Sequence, residues 1–473
     1  MSTIFDQAIF TSVRTPMGEG YRVIAASQGV KPDEKQAITR NSPSHKGLCL
    51  EHADLEEDQE IVPGLAYYRM PSGRLCLAIS NFAGAEHTAR GGQRIYTHNL
   101  LFSDSDLASW EFNPLHITRA AITAGAVEPQ LKPEKILPTV ELNFECADAP
   151  PCMPATFEAS TRRLVLNNML LGKNTVLNLG DRWIDALECL MLGLPGPRRG
   201  DVSFSSGLQF SVSRTHQLTI LNDAKGYAKK RSVGQPVSYL ESGEENTGPL
   251  DAPATWLSFV AEHWRRDDTR GLARRTNRNF ANCEPEALFT LGDAFNMQVA
   301  APSASMGELV DMIEKCRHAG YLSHAMDIAD QTRAAVGAAL ENLVQSASWN
   351  QVCCFFPNLS KWWSEDDTSA TLAAPVLCGM LDAAAREDVW VASDHLTELM
   401  TANVRPVVQG YWDRMLDQTI TAMARWCNNA EEKDATKLQR FVSTWTPHRP
   451  NSPAMKVIQE RCETLSGATH EAG

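Results

Sequence analysis

One stretch, residues 75–102, restricts the fold more than any other: LCLAISNFAGAEHTARGGQRIYTHNLLF. Leu75, Leu77 and Ile79 alternate with Cys76, Ala78 and Ser80, a period of two that suits a strand and not a helix. From Ile95 a second β-rich run places Tyr96, His98, Leu100 and Phe102 on one face. The connection between the runs holds Gly84, Gly91 and Gly92, where a positive φ costs little. It also concentrates Glu86, His87, Arg90 and Arg94. A tight hairpin needs only about two to five loop residues, and longer connections are functional or disordered more often. The stretch therefore predicts two sheet strands carrying a polar connection able to hold a ligand or a partner. The plainer reading is a surface loop whose arginines pair with Glu86 and water.

The neighbouring sequence extends the sheet. Residues 8–14 and 21–26 read as strands around the turn-rich Thr15-Pro16-Met17-Gly18-Glu19-Gly20. Pro32 opens a short helix with Asp33 and Glu34 near its positive end. Residues 65–70 and 74–79 flank Pro71-Ser72-Gly73 as a hairpin, and Ser103 caps a helix running toward Trp110. Antiparallel strands with a few helices make an α+β domain over 1–148, closed by a linker with Pro150, Pro151 and Pro154.

A middle α+β domain is expected over 155–285: a helix at 156–171, a strand at 175–179 and a helix at 181–192. Strands follow at 201–210 and 217–221, then a loop at 224–251. From 286 to 473 helical periodicity takes over. The capping box Ser305-x-x-Glu308 opens one helix; others are expected at 325–347, 369–386, 395–404, 406–426, 437–445 and 453–465. This is an all-helical C-terminal domain of stacked hairpins or an irregular bundle.

At 473 residues the chain has room for about three domains. Its formal charge of -13 argues against nucleic-acid binding by the whole surface. The local exception is 256–278, with Arg265, Arg266, Arg270, Arg274, Arg275 and Arg278 among Trp264, Asp267 and Asp268. It reads as a solvated helix face with local ion pairs, or as a patch for an acidic partner or nucleic acid. The 12 cysteines include no Cys-x-x-Cys pair and no zinc-type spacing, so we read them as reduced core residues of a cytoplasmic protein with no metal site. Vicinal Cys353 and Cys354 are expected buried beside Phe355 and Phe356. The N-terminus lacks the pattern of a signal peptide, and no apolar run reaches about 18 residues, so no membrane span is expected. Gly172-Lys173-Asn174-Thr175 lacks the glycine and the magnesium-binding hydroxyl of a phosphate loop. No nucleophile elbow or metalloprotease motif occurs, and no cofactor is expected.

Phe82, Gly84, Glu86, Arg90, Gly92, His98 and Leu100 together form a pattern that resembles the N-terminal domain of the bacterial GTPase-associated protein family (GAP1-type adaptors). Ala85 stands in place of that pattern's arginine, Glu86 of its aspartate, Ala89 of a glycine and Gln93 of its asparagine. Leu194, Pro195, Arg199, Ser203, Phe204, Gly207 and Leu208 resemble the middle domain of the same family. Arg199 either positions a phosphate or clamps loop carbonyls. The resemblance implies a chain working beside a partner GTPase, with other proteins of the same complex, in bacterial conflict or signalling systems.

Three functions follow. The first is a non-catalytic adaptor, with Arg90, Arg94, Arg199, Arg265, Arg266, Arg274, Arg275, Trp362 and Trp363 as candidates for partner contact. The second is a hydrolase or transferase using His98 as general base, oriented by Glu86, with Arg90 or Arg94 stabilising an anion. The third is nucleic-acid binding through the arginines at 265–278.

Overall fold

The computed structural model describes residues 2–471 except 16–17, 46, 49–62, 87–91, 131–132, 145–150, 180–182, 215, 224, 319 and 402–403. It divides into two compact units, Met1–Asp293 and Ala294–Gly473.

In the first unit the alternating stretches become strands, as the period of two requires. In chain order they begin with β1 (Ser2–Thr15), β2 (Gly18–Ser27), α1 (Pro32–Asn41), β3 (Gly64–Arg69), β4 (Leu75–Ala85) and β5 (Gln93–Phe102). Next come α2 (Asp104–Ser109), α3 (Pro114–Thr123), β6 (Ile136–Leu137) and β7 (Val140–Asn143). The expected hairpin is present: β3 pairs antiparallel with β4, and Gly73 takes φ +86° in its turn. The Ser103 cap is also present, with the Asp106 amide donating to its Oγ at 3.2 Å.

Residues 159–276 add α4 (Ala159–Leu170), β8 (Thr175–Asn178), α5 (Trp183–Leu192), β9 (Phe204–Ser206) and β10 (Leu218–Leu221). After these come α6 (Tyr227–Ser232), β11 (Ser238–Glu241), α7 (Ala254–Arg265) and α8 (Thr269–Thr276). The stretch at 224–251 is therefore not a bare loop: α6 and β11 lie within it. The basic segment is two helices, because Asp267 takes φ +53° between them.

Among the described residues all eleven strands belong to one sheet, ordered β11-β8-β10-β9-β3-β4-β5-β1-β2-β6, with β7 paired to β1. The β3–β4–β5–β1–β2 portion is antiparallel. The β9–β10–β8–β11 portion is parallel. They join where β3 pairs antiparallel with β9. A residue such as Tyr67 is therefore buried between β4 and β9, stacked on Phe204 at 5.2 Å.

The second unit is helical. After α9 (Pro285–Ala300), which crosses the boundary, come α10 (Met306–Arg317), α11 (Met326–Ser346), α12 (Trp349–Val352), α13 (Phe356–Glu365), α14 (Asp367–Glu387), α15 (Val389–Thr401), α16 (Gln409–Cys427), α17 (Ala435–Trp445) and α18 (Pro453–Glu471). The expected capping box is formed, with the Ser305 amide 2.8 Å from the Glu308 carboxylate. α14 runs through the core. It is long and apolar enough to cross a membrane by length and composition, but Ala370, Ala374, Leu377 and Leu381 are buried among the other helices. A side chain at Gly379 would place its Cβ 2.9 Å from Val344, so α11 and α14 pack closely only because that position is glycine.

Candidate functional site

Among the described residues, those expected to form a site are not gathered around a cleft. His98 lies on β5, opposite Ile9 of β1 and Ile79 of β4, and is 1% exposed. Neither ring nitrogen has a hydrogen-bond partner among the described residues. Burial pushes its pKa down to about 4, so the ring is neutral at pH 7. Leu77 and Ile79 lie beside it on the adjacent strand; the imidazole occupies an apolar slot.

Glu86 does not orient it. The carboxylate accepts hydrogen bonds from Ser12 Oγ at 2.5 Å and Tyr21 Oη at 2.6 Å. Tyr21 Oη in turn accepts from the Ile95 amide at 3.1 Å. Burial and the nearby carboxylate raise the phenol pKa strongly. Glu86 thus fastens the end of β4 to β1 and β2. The general-base arrangement of Glu86 and His98 is not present: Glu86 follows Ala85, which pairs with Gln93 at the end of the β4–β5 ladder, whereas His98 pairs with Ile79 further along it. Arg94 donates from Nε to the Ala83 carbonyl at 3.0 Å. Arg90 lies outside the described residues.

Arg199 takes the clamping role. It is fully buried, and its guanidinium donates to the carbonyls of Leu194 at 3.1 and 3.0 Å, Leu192 at 3.3 Å and Glu111 at 3.3 Å. It also reaches Asn277 Oδ1 at 2.6 Å and Thr276 Oγ1 at 2.8 Å. Burial lowers its pKa to about 9, opposed by Glu111 and Glu188, so it remains a cation at neutral pH. No face is left for a partner or a phosphate. Glu111 and Phe112 both take φ +55°, a strained conformation for non-glycine residues, beside this clamp.

A second lock has no signal in the sequence. Glu188 of α5, 1% exposed, accepts from Asn113 at 2.8 Å and from both Arg119 amino groups. His116 Nε2 lies 3.6 Å away. Arg119 and Asn113 are 69 and 75 residues from Glu188 in the chain, too far for any local spacing rule to find. A buried carboxylate is tolerable only with such partners.

The two tryptophans are interior. Trp362 is 2% and Trp363 0% exposed, which overturns their reading as an exposed contact: α13 turns both toward the helical core. The Arg317 guanidinium lies 4.9 Å from the Trp362 ring centre and bonds Glu314, Glu365 and Ser369. Cys354 is exposed and Cys353 half-buried. The helical turn there faces Phe356 inward and leaves the vicinal pair at the rim.

The basic segment stays at the surface. Arg265, Arg266, Arg270 and Arg274 are exposed, and Arg275 is half-buried. Arg265 and Arg266 both pair with Glu262, at 2.6 and 2.7 Å; Arg275 donates to the Gly271 carbonyl at 3.2 Å. Arg270 and Arg274 fall four apart on α8, on one face of the helix.

The N-terminal domain is of a recognised class: residues 4–142 match the family model described as GTPase-associated protein 1, N-terminal domain type 2. That description speaks of association with a GTPase, which is also what the resemblance at 82–100 implies. No curated protein and no solved structure matches the chain.

Proposed function

We propose that the chain is a non-catalytic adaptor that docks a partner GTPase in a bacterial conflict or signalling complex in the cytoplasm, together with other proteins of that complex. The match of residues 4–142 to a GTPase-associated domain carries this reading. It is supported by the structural use of Glu86, His98 and Arg199, which are committed to fastening or filling the sheet unit. The surface offered to the partner is the arginine face of α7 and α8, above all Arg270 and Arg274, which are exposed. On a chain of net charge -13, such a local basic patch selects an acidic surface and speeds its encounter.

The test is co-purification from native cells followed by binding of the recovered GTPase in its GDP and GTP-analogue forms. A nucleotide-dependent affinity that weakens about tenfold or more in Arg270→Glu/Arg274→Glu, with unchanged circular dichroism, is the expected result. No GTPase in the recovered complex, or binding blind to both the nucleotide and the charge reversal, contradicts the proposal.

A further inference from the structure

The connection between β9 and β10 closes over a small cavity of about 10 Å³, lined by Ser205, Leu208, Phe210, Arg214, His216 and Thr219 among others. That is room for one water-sized body. Its polar lining is Ser205, Gln209, Ser211, Arg214, His216 and Thr219, and three of these have a donor free to serve it. Arg214 Nη1 is buried without a hydrogen-bond partner among the described residues. His216 is 5% exposed, and its Nε2 is likewise buried and unpartnered. Ser205 Oγ donates to Thr219 Oγ1 at 3.3 Å, which leaves the Thr219 hydroxyl hydrogen able to turn into the cavity.

No carboxylate is among the described residues lining this space. Burial lowers the Arg214 pKa with no acidic neighbour acting on it. Burial, then the Arg214 charge, lowers that of His216 to about 4. The imidazole is therefore neutral at pH 7 and can carry its proton on Nε2, as a donor. A guanidinium nitrogen buried without a counter-charge is costly, and three donors lining one space with no carboxylate among its described residues suit an anion better than a cation. The Tyr68 ring, 6.2 Å from the imidazole, sits beside it from β3.

We propose that this cavity binds a single halide-sized inorganic anion, with chloride as the physiological occupant, held by Arg214, His216 and Thr219. Phosphate and sulfate are too large for it. The ion would hold the β9–β10 connection against the sheet close to where its antiparallel part gives way to its parallel part.

Bromide and chloride are the probes, used with the full chain. Crystals soaked in sodium bromide and measured at the bromine edge should show one anomalous peak within hydrogen-bond distance of Arg214 Nη1 and His216 Nε2. In solution, replacing gluconate by chloride at constant ionic strength should raise the Tm of the sheet unit saturably, by about 3 °C at ten times the Kd. Arg214→Gln should abolish that gain, and the milder Thr219→Val should shift its midpoint to higher chloride. A water without anomalous signal at the position overturns the proposal. So does a Tm equal in the two salts, or an anion-specific gain that survives in both variants.

Discussion

The two units have differently built interiors. The sheet unit buries ionic and polar side chains: Glu34, His98, Glu188 and Arg199 are each 1% exposed or less. The core of the helical unit is almost wholly apolar, with Trp363, Leu377, Met415 and Ile420 at its centre. A buried charge network depends on geometry and leaves uncompensated groups when one member is lost. An apolar core loses stability in proportion to the contacts removed. The sheet unit should therefore fail abruptly on conservative changes, and the helical unit gradually.

The sharpest break of that contrast is Arg199→Lys, which keeps the charge but not the planar fork. It should destabilise the sheet unit by about 3–5 kcal/mol in denaturant unfolding, nearly as much as Arg199→Ala. A loss below about 1 kcal/mol would mean that the clamp is not what holds 192–199 to 276–277.

Acid should separate the units next. His98 and His216 sit at about 4 in the fold, against about 6.5 in an unfolded chain. Between these values the unfolded chain binds protons that the folded one does not, so stability present above pH 6.5 is lost as the pH falls toward 4. In chloride-free buffer the loss is about 3 kcal/mol for each histidine, read as a falling Tm of the sheet unit. A flat profile from pH 7 to 4.5 would contradict the burial of these rings.

In the helical unit, Trp363→Phe should cost about 1–2 kcal/mol, since it shortens a buried ring without orphaning a charge. A larger loss would move that core toward the sheet unit's behaviour. The smallest effect is expected of His98→Leu. No hydrogen bond to a described residue is lost, so above pH 6.5 it should be neutral or slightly stabilising, within about 1 kcal/mol, and should flatten part of the acid profile.

Local chemistry was readable in the sequence. The hairpin at 70–74, the caps at Ser103 and Ser305 and the strands around His98 follow from period, turn residues and capping spacing. The α+β plan with a helical C-terminal part also follows. What escaped depends on distance. The pairing of β3 with β9, which makes one sheet of two stretches, leaves no mark in either strand. Short β6, β7 and β11 carry too few residues to show a period. The Glu188–Arg119 contact and the Arg199 clamp join side chains that no spacing rule connects. Trp362 and Trp363, expected as partner contacts, are interior because the phase of α13 puts both rings inside. Exposed arginines on α8, by contrast, were evident from composition alone.

On the adaptor proposal the chain acts through its surface, and the candidate catalytic histidine, His98, only fills the sheet. Titrating the recovered GTPase against wild type, His98→Leu and Arg270→Glu/Arg274→Glu, all at pH 7.5, puts that directly to measurement. We expect His98→Leu to bind within twofold of wild type, and the charge reversal to weaken binding about tenfold or more. Full binding by the charge-reversed chain, or loss of the complex's activity in a folded His98→Leu variant, would contradict it.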